Sequence, residues 1–357
     1  MKKHINKWTL TIILIAIFTL LAACGSTGSN TETSSGSDAG TASNNEEEFV
    51  EVPIVGVRDA QISSQLIIAD KMGFFTEQGL KPAIKLIESG PDINGMIAGG
   101  SAPISFTGNQ PAAILSSNGI DVKVVTPLAQ IAGTQAIVGG KNLKLTSAKD
   151  LEGKTIGIPS GADVIMAIQK MAKELNVDFS KIKFVNLAPS DAVVALERGD
   201  IDAMACWEPF VTKAINQGGS FLFSGTKSEL PGKQGDVDWM SVHSAMLVTG
   251  DYLDKNAETV KKLITGLKKA TDYINNNREE AIKVLAPELH VTEAELTEIM
   301  NRNAYSMEVD ESYINGSNGK EVMDYFLEIG NIKKVPAYDN YNDFSLLKEV
   351  EPSLVKN

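Results

Sequence analysis

Apolar positions along the chain alternate between two periods, and the clearest change of period falls at residues 151–175. Thr155–Ile158 reads as a short buried strand, Pro159-Ser160-Gly161 as a sharp turn, and Val164, Ile165, Ile168, Met171, Ala172 and Leu175 then recur every 3.6 residues, predicting a helix over 163–175. Ser160 with Asp163 three residues later has the form of a capping box at its start. A strand that passes through a glycine turn into a helix leaves backbone N–H groups free at its carboxyl end, where an anionic or strongly polar ligand group is favoured. An ordinary βα turn has the same pattern, so the rest of the chain decides the reading.

The same alternation begins earlier. Val52–Val57 and Ala83–Ile87 read as strands, with a helical run at 66–72 between them closed by Gly73. A short helix around Met96 and Ile97 ends at Gly99-Gly100, and the strand Ile104–Phe106 runs into Thr107-Gly-Asn-Gln-Pro111. Val122–Val125 and Ala136–Val138 are further strands. After Gly139-Gly140 the pattern restarts with the strand at 155–158, another at 182–185, a helix at 192–198 stopped by Gly199, and the strand Ile201–Cys206 leading into Trp207-Glu208-Pro209. Helix, glycine, strand and polar turn at 92–110 are thus echoed at 191–209, which predicts two lobes of like build. From Met246–Val248 onward the chain is mostly helical. It carries a stripe of Val260, Leu263, Ile264, Leu267, Ala270 and Ile274, a capping box at Thr292 and Glu295, and a second stripe of Val322, Tyr325, Phe326 and Ile329. The expected architecture is α/β, with mainly parallel sheets and a ligand cleft between two lobes. One lobe would hold residues 49–138 and 243–357, the other 139–242.

Composition narrows the function. At 357 residues and 43% hydrophobic the chain is long enough for more than one core. A net charge of −12 without a long basic cluster argues against a nucleic-acid partner. Lys2, Lys3 and Lys7 precede an apolar run from Trp8 to Leu20, which has the length of a signal peptide and is short for a membrane span. It ends in Leu21-Ala22-Ala23-Cys24-Gly25, which resembles a bacterial lipobox. That resemblance implies removal of residues 1–23, lipidation of Cys24 and a cell-membrane anchor on the extracytoplasmic face. Losing three lysines takes the net charge from −12 to −15. Residues 24–48 are Ser, Thr, Gly, Asn and acid without apolar period, a flexible tether with an r.m.s. reach of about 25–30 Å.

Three stretches carry a wider resemblance: Ala69-Asp-Lys-Met-Gly-Phe-Phe-Thr-Glu-Gln-Gly-Leu80, Asp150-Leu-Glu-Gly-Lys-Thr-Ile-Gly157, and Ala195-Leu-Glu-Arg-Gly-Asp-Ile-Asp-Ala203 followed by Trp207-Glu-Pro209. Over roughly Val52–Ser306 the chain resembles the substrate-binding proteins of nitrate, sulfonate and taurine ABC importers, a group that includes binders of the thiamine pyrimidine precursor. The resemblance implies a hinged, two-lobed receptor of the periplasmic-binding-protein type II fold. Such a monomer captures a small solute and passes it to a permease with a cytoplasmic ATPase. Carried over position by position, it implies contacts from Arg58, Gln61, Asn109 and Gln110 in the first lobe. In the second it implies Ser160, Gly161 and Ala162 through backbone N–H groups, and Trp207 and Glu208, with His243 and Ser244 at the return crossing. Each also has a structural reading: Arg58 pairing with a neighbouring acid, Asn109 and Gln110 satisfying their own turn, Trp207 in the core, Glu208 capping the next helix. Cys206, on a buried strand, reads as an inert small hydrophobe.

Asp163 and Glu208 near a helix start disfavour a bare oxyanion. The expected solute is sulfonate- or taurine-like, or nitrate-like; the alternative is a thiamine pyrimidine precursor or another nitrogenous ring, and Glu208 is expected to accept from an amino group. No cofactor or metal is expected. An enzyme resembling a pyrimidine synthase would need a Cys-rich iron-binding run, which the sequence lacks, along with GxSxG and HExxH motifs. A sensor lobe feeding a membrane kinase is the third reading.

Overall fold

The structure is a computed structural model that describes residues 49–356, so the expected signal segment, Cys24 and the tether lie outside the described residues. The first half builds β1 (Val50–Val57), α1 (Ser64–Lys71), β2 (Leu80–Ile87), α2 (Gly90–Ala98), β3 (Ile104–Gly108), α3 (Gln110–Ser117) and β4 (Val122–Gln130). Next come β5 (Gln135–Gly139), β6 (Thr155–Ile158), α4 (Ile165–Glu174), β7 (Lys183–Asn186), α5 (Pro189–Arg198), β8 (Ala203–Trp207), α6 (Phe210–Asn216), β9 (Ser220–Ser224), β10 (Lys227–Leu230) and β11 (Lys233–Asp236). The chain returns through β12 (His243–Thr249) into α7 (Gly250–Asn276), α8 (Arg278–Leu289), α9 (Glu293–Met300), β13 (Ala304–Tyr305), α10 (Lys320–Glu328) and α11 (Ser345–Val350).

Two sheets result, ordered β13-β4-β12-β3-β1-β2 and β11-β10-β9-β5-β8-β6-β7. Read from the β2 and β7 edges they follow one plan, a parallel trio (β2-β1-β3, β7-β6-β8) continued by a strand running the other way (β12, β5). The expectation of mainly parallel sheets therefore holds only for those trios, because the two crossing strands and everything beyond them pair antiparallel. Strands buried on both faces explain the unbroken apolar runs: β3 and β8 are buried at every position.

The expected crossing at Gly139 needs correction. β5 pairs with β8 through all five of its residues and with β9 from Ala136 to Gly139 and so lies wholly in the second sheet, while the passage between sheets runs through Ile131–Thr134. Gly139 is not a linker glycine but a packing one: a Cβ there would lie 2.9 Å from Leu143 Cδ2. The return at His243 coincides with the start of β12 in the first sheet.

The α7 stripe from Val260 to Ile274 is buried throughout, and α7 packs on α1 and on the turn before β2, where Phe75 would be met at 2.7 Å by a Cβ at Gly266. In α10 the inward face is Met323 and Phe326, and Ile329 is 41% exposed, so the second stripe is displaced from the expected one. Thr292 and Glu295 form the expected capping box. Ser160 and Asp163 do not: α4 begins at Ile165, and Ser160 N–H donates to Asn186 Oδ1 at 2.9 Å. Among the described residues no helix is long and apolar enough to cross a membrane.

Candidate functional site

The carboxyl ends of β1, β3 and β8 and the turn after β6 converge on a cleft that opens to solvent. Strand β1 delivers Arg58-Asp59-Ala60-Gln61 to it. Asp59 folds back on its own turn, with Oδ1 accepting from Ile62 N at 2.7 Å and Oδ2 from Gln61 Nε2 at 3.4 Å. Gln61 Oε1 accepts from Gln135 Nε2 at 3.2 Å and from Thr134 Oγ1, tying this turn to the start of β5. Burial pushes the Asp59 carboxyl up to about 7 despite those hydrogen bonds, and the nearby Glu208 charge adds to the rise.

On the facing side, Gly161 (φ 75°) lets the chain turn after β6 in a left-handed conformation, and Ala162 and Asp163 follow along the cleft wall. Asp163 lies close against the first sheet, where a Cβ on Gly108 would come within 3.1 Å of its Oδ2. With its amide oriented to satisfy both groups, Gln110 donates to Asp163 Oδ1 at 2.8 Å and Oδ2 at 3.3 Å. Burial pushes the Asp163 carboxyl up as well, against the lowering effect of the two Gln110 hydrogen bonds. Trp207, the last residue of β8, is buried along the same wall, and its Nε1 has no hydrogen-bond partner. Asn94 of α2 also lines the cleft, and its buried Oδ1 is likewise unpartnered. Among the described residues, none of those lining the cleft is Lys or Arg, and no group of His, Cys, Asp and Glu has the form of a metal site.

Of the expected contacts, Gln61, Gly161, Ala162 and Trp207 line the cleft. The others have different partners. Arg58 is half-buried and turned away, its Nη1 donating to the Glu288 carbonyl at the end of α8 (3.0 Å). Asn109 bridges to the crossing strand, its Oδ1 accepting from His243 N (3.2 Å) and its Nδ2 donating to Asn318 Oδ1 (3.2 Å). Gln110 stands behind Asp163 rather than in the lining, and Ser160 is exposed. Ser244 is buried, its hydroxyl donating to the Ala129 carbonyl on β4. Glu208 is fully buried, with Oε1 accepting from Arg302 Nη2 (2.5 Å) and Oε2 from Thr212 N (2.9 Å). Glu208 is absent from the cleft lining, so it does not offer the amino-group acceptor expected there; the helix-capping reading describes one oxygen and an ion pair the other. His243 is buried beside Ser317 and edge-on to Tyr313, and burial pulls its imidazole down to about 4.

Sequence reasoning passed over Asp59, Asn94, Thr107 and Gln135, and took Asp163 for a cap and for a charge that disfavours a bare oxyanion, not for a lining residue. Asp59 carried a signal, a lone acid two residues past a buried strand; Asn94 and Gln135 carried none, because a polar residue on a half-exposed helix or a strand start is unremarkable by itself.

Two sheets of one plan, joined by antiparallel crossing strands and sharing a cleft at the carboxyl ends of their parallel strands, define a periplasmic-binding-protein type II fold. The chain belongs to the NMT1/THI5-like family, whose model matches residues 62–281. It is 26% identical over 224 residues to a Bacillus subtilis (strain 168) protein named "Putative aliphatic sulfonates-binding protein", covering 61% of this chain and 63% of that protein. It is 26% identical over 274 residues to the taurine-binding periplasmic protein of Escherichia coli (strain K12), covering 75% and 82%. In structure it resembles the alkanesulfonate-binding protein SsuA of Xanthomonas axonopodis pv. citri bound to MOPS, with a TM-score of 0.67, 18% identity and coverage of 83% and 99%. The periplasmic nitrate-binding protein NrtA of Synechocystis PCC 6803 has the same fold, with a TM-score of 0.67, 16% identity and coverage of 86% and 89%.

Proposed function

We propose that this protein is the extracytoplasmic solute receptor of an ABC importer, acting without catalysis, closing over a small organic solute and passing it to a permease driven by a cytoplasmic ATPase. One observation carries the reading: the cleft takes its walls from both sheets, and hydrogen bonds cross it. Gln110 reaches Asp163, and Ser190 N of α5 donates to Glu88 Oε1 past β2 at 3.1 Å. A wall assembled from two units that share only crossing strands and a few bridging contacts is suited to capture by hinge closure. The binding-protein names of the relatives, among them sulfonate, taurine and nitrate binders, support a solute receptor over an enzyme.

The receptor acts as a monomer, held by lipid on Cys24 and given reach by the 24–48 tether. The lobes divide within 131–134 and again near 243, so lobe one holds 49–131 and the chain from 243 onward.

Tryptophan fluorescence tests closure. Trp207 lies in the cleft wall, whereas Trp239 is sealed among second-sheet partners, edge-on to Phe223 with Nε1 donating to Glu174 Oε2 at 2.7 Å. A bound solute changes the emission saturably and lowers the radius of gyration at the same saturation, and Trp207→Phe removes most of the emission change. A solute bound by calorimetry that moves neither quantity would refute hinge capture. Cys24→Ala is expected to leave the membrane fraction without loss of solute affinity.

A further inference from the structure

We propose, on the receptor reading above, that the solute is an organic cation whose ammonium or amidinium nitrogen sits between Asp59 and Asp163 beside Trp207. The argument starts from what the cleft offers. Its lining contains two carboxyls, one from each sheet, and no Lys or Arg among the described lining residues. Arg58, the cation nearest in sequence, is committed to the Glu288 carbonyl, and Arg302 to Glu208.

The unused hydrogen-bonding groups point the same way. Asn94 Oδ1 is a buried acceptor without a donor, and each carboxylate has acceptor capacity beyond the bonds it makes. Against these acceptors stands one buried, unpartnered donor, Trp207 Nε1. Trp207 is only 6% exposed, so its orphaned N–H marks a place where a ligand acceptor or π-system completes the wall. A solute matched to this set carries several N–H donors, positive charge and at most one acceptor.

Burial of a carboxylate without counter-charge is costly, and burial raises both groups toward neutrality in the unliganded cleft. A cation entering between them supplies the missing charge through charge-assisted hydrogen bonds. An alkanesulfonate or nitrate has the opposite effect: it brings negative charge to two acids and offers acceptors to acceptors. A zwitterion such as taurine can satisfy the acids only through its ammonium end.

Calorimetry at pH 8 with benzamidine, agmatine and putrescine as cations, and ethanesulfonate and nitrate as anions, tests the inference. The expected result is saturable binding of at least one cation, no binding of either anion, and a loss of tenfold or more in cation affinity in Asp163→Asn and Asp59→Asn. Because the Asp163 carboxyl accepts from no backbone N–H, Asp163→Asn carries the test if Asp59→Asn fails to fold. Binding of ethanesulfonate or nitrate, undiminished or strengthened in Asp163→Asn, overturns the cation and leaves the receptor standing. A cation that binds with affinity unchanged in Asp163→Asn overturns the placement, and silence of all three cations overturns the class. Silence of every solute, of either charge, likewise overturns the cation and leaves the receptor reading to the fluorescence and scattering test above.

Discussion

The turns that follow β1 and β6 occupy the same place in the two sheets, and each brings one acid to the cleft. They are built differently. Asp59 is woven into its own turn: it caps Ile62, Ser63 Oγ donates to the Val57 carbonyl and Ser64 Oγ to the Ala60 carbonyl. Asp163 takes its hydrogen bonds from Gln110 on the opposite wall and has no backbone donor of its own. The first acid is therefore set in place by local sequence, and the second is completed only when the two walls meet. The turns after β3 and β8 differ as well. Asn109 makes neutral hydrogen bonds to the crossing strand, while Glu208 holds a buried charge against Arg302.

The largest expected effect breaks that second contrast. Arg302→Met leaves Glu208 charged, fully buried and unpaired, which costs about 3–5 kcal/mol. Asn318→Ala, which removes the neutral partner of Asn109, costs about 1 kcal/mol. Equal costs in urea denaturation would show that Glu208 is not held as a charge. The two acids should then separate by sign. Asp59→Ala strands the buried Ile62 N–H and destabilises by about 1–3 kcal/mol, whereas Asp163→Ala at pH 8 removes a carboxylate without counter-charge, its donor Gln110 can turn to Met166 Sδ, and the change is neutral or stabilising. Loss of stability in both variants would mean that Asp163 is as structural as its counterpart.

The pH dependence of the ligand-free protein sharpens the pair further. Burial raises both acids above the unfolded value of 3.8, Asp59 to about 7, so between the unfolded and folded values the folded state binds more protons and stability falls as pH rises. Each contributes up to about 1.4 kcal/mol per pH unit, and Asp163→Asn removes one of the two contributions. His243 acts in the opposite direction between about 4 and 6.5, where it stays neutral when folded and takes up a proton when unfolded. His243→Gln should thus steepen the acid-driven slope below pH 6.5. A flat melting temperature from pH 4 to 7 in both wild type and His243→Gln would show that neither acid is raised. The smallest contrast lies at two helix starts: Thr292→Ala removes a formed capping box and costs about 0.5–2 kcal/mol, while Ser160→Ala, where no cap exists, stays within about 0.5. Circular-dichroism melts resolve the two.

Much of the frame was legible because it depends on period alone. The parallel trios, the α7 stripe and the echo of 92–110 in 191–209 all follow from apolar spacing closed by glycine, and Gly199 (φ 82°) ends α5 as read. The β10–β11 hairpin was not legible, since Lys227–Leu230 and Lys233–Asp236 hold one large apolar residue between them. Side-chain destinations were the other blind spot. Glu208 looks available until Arg302, 94 positions away in sequence, arrives beside it. Arg58 looks like a ligand contact until the end of α8 offers a carbonyl. A capping-box spacing at Ser160 is met by Asn186 of β7, which takes the N–H first. In each case a long-range partner decides, and no local pattern encodes it.

Cys206 is sealed near the carboxyl end of β8, and burial drives its thiol far above the ordinary range, so it stays unreactive toward maleimides at neutral pH. A secreted form without Cys24 would therefore offer no other cysteine to a label. Ser190→Cys, at the rim contact with Glu88, would place a single environment-sensitive dye where the two walls meet. Such a conjugate would report solute concentration by colour without added reagents, turning the receptor into an optical sensor whose specificity is set by the cleft and whose labelling chemistry is set by a thiol that never sees water.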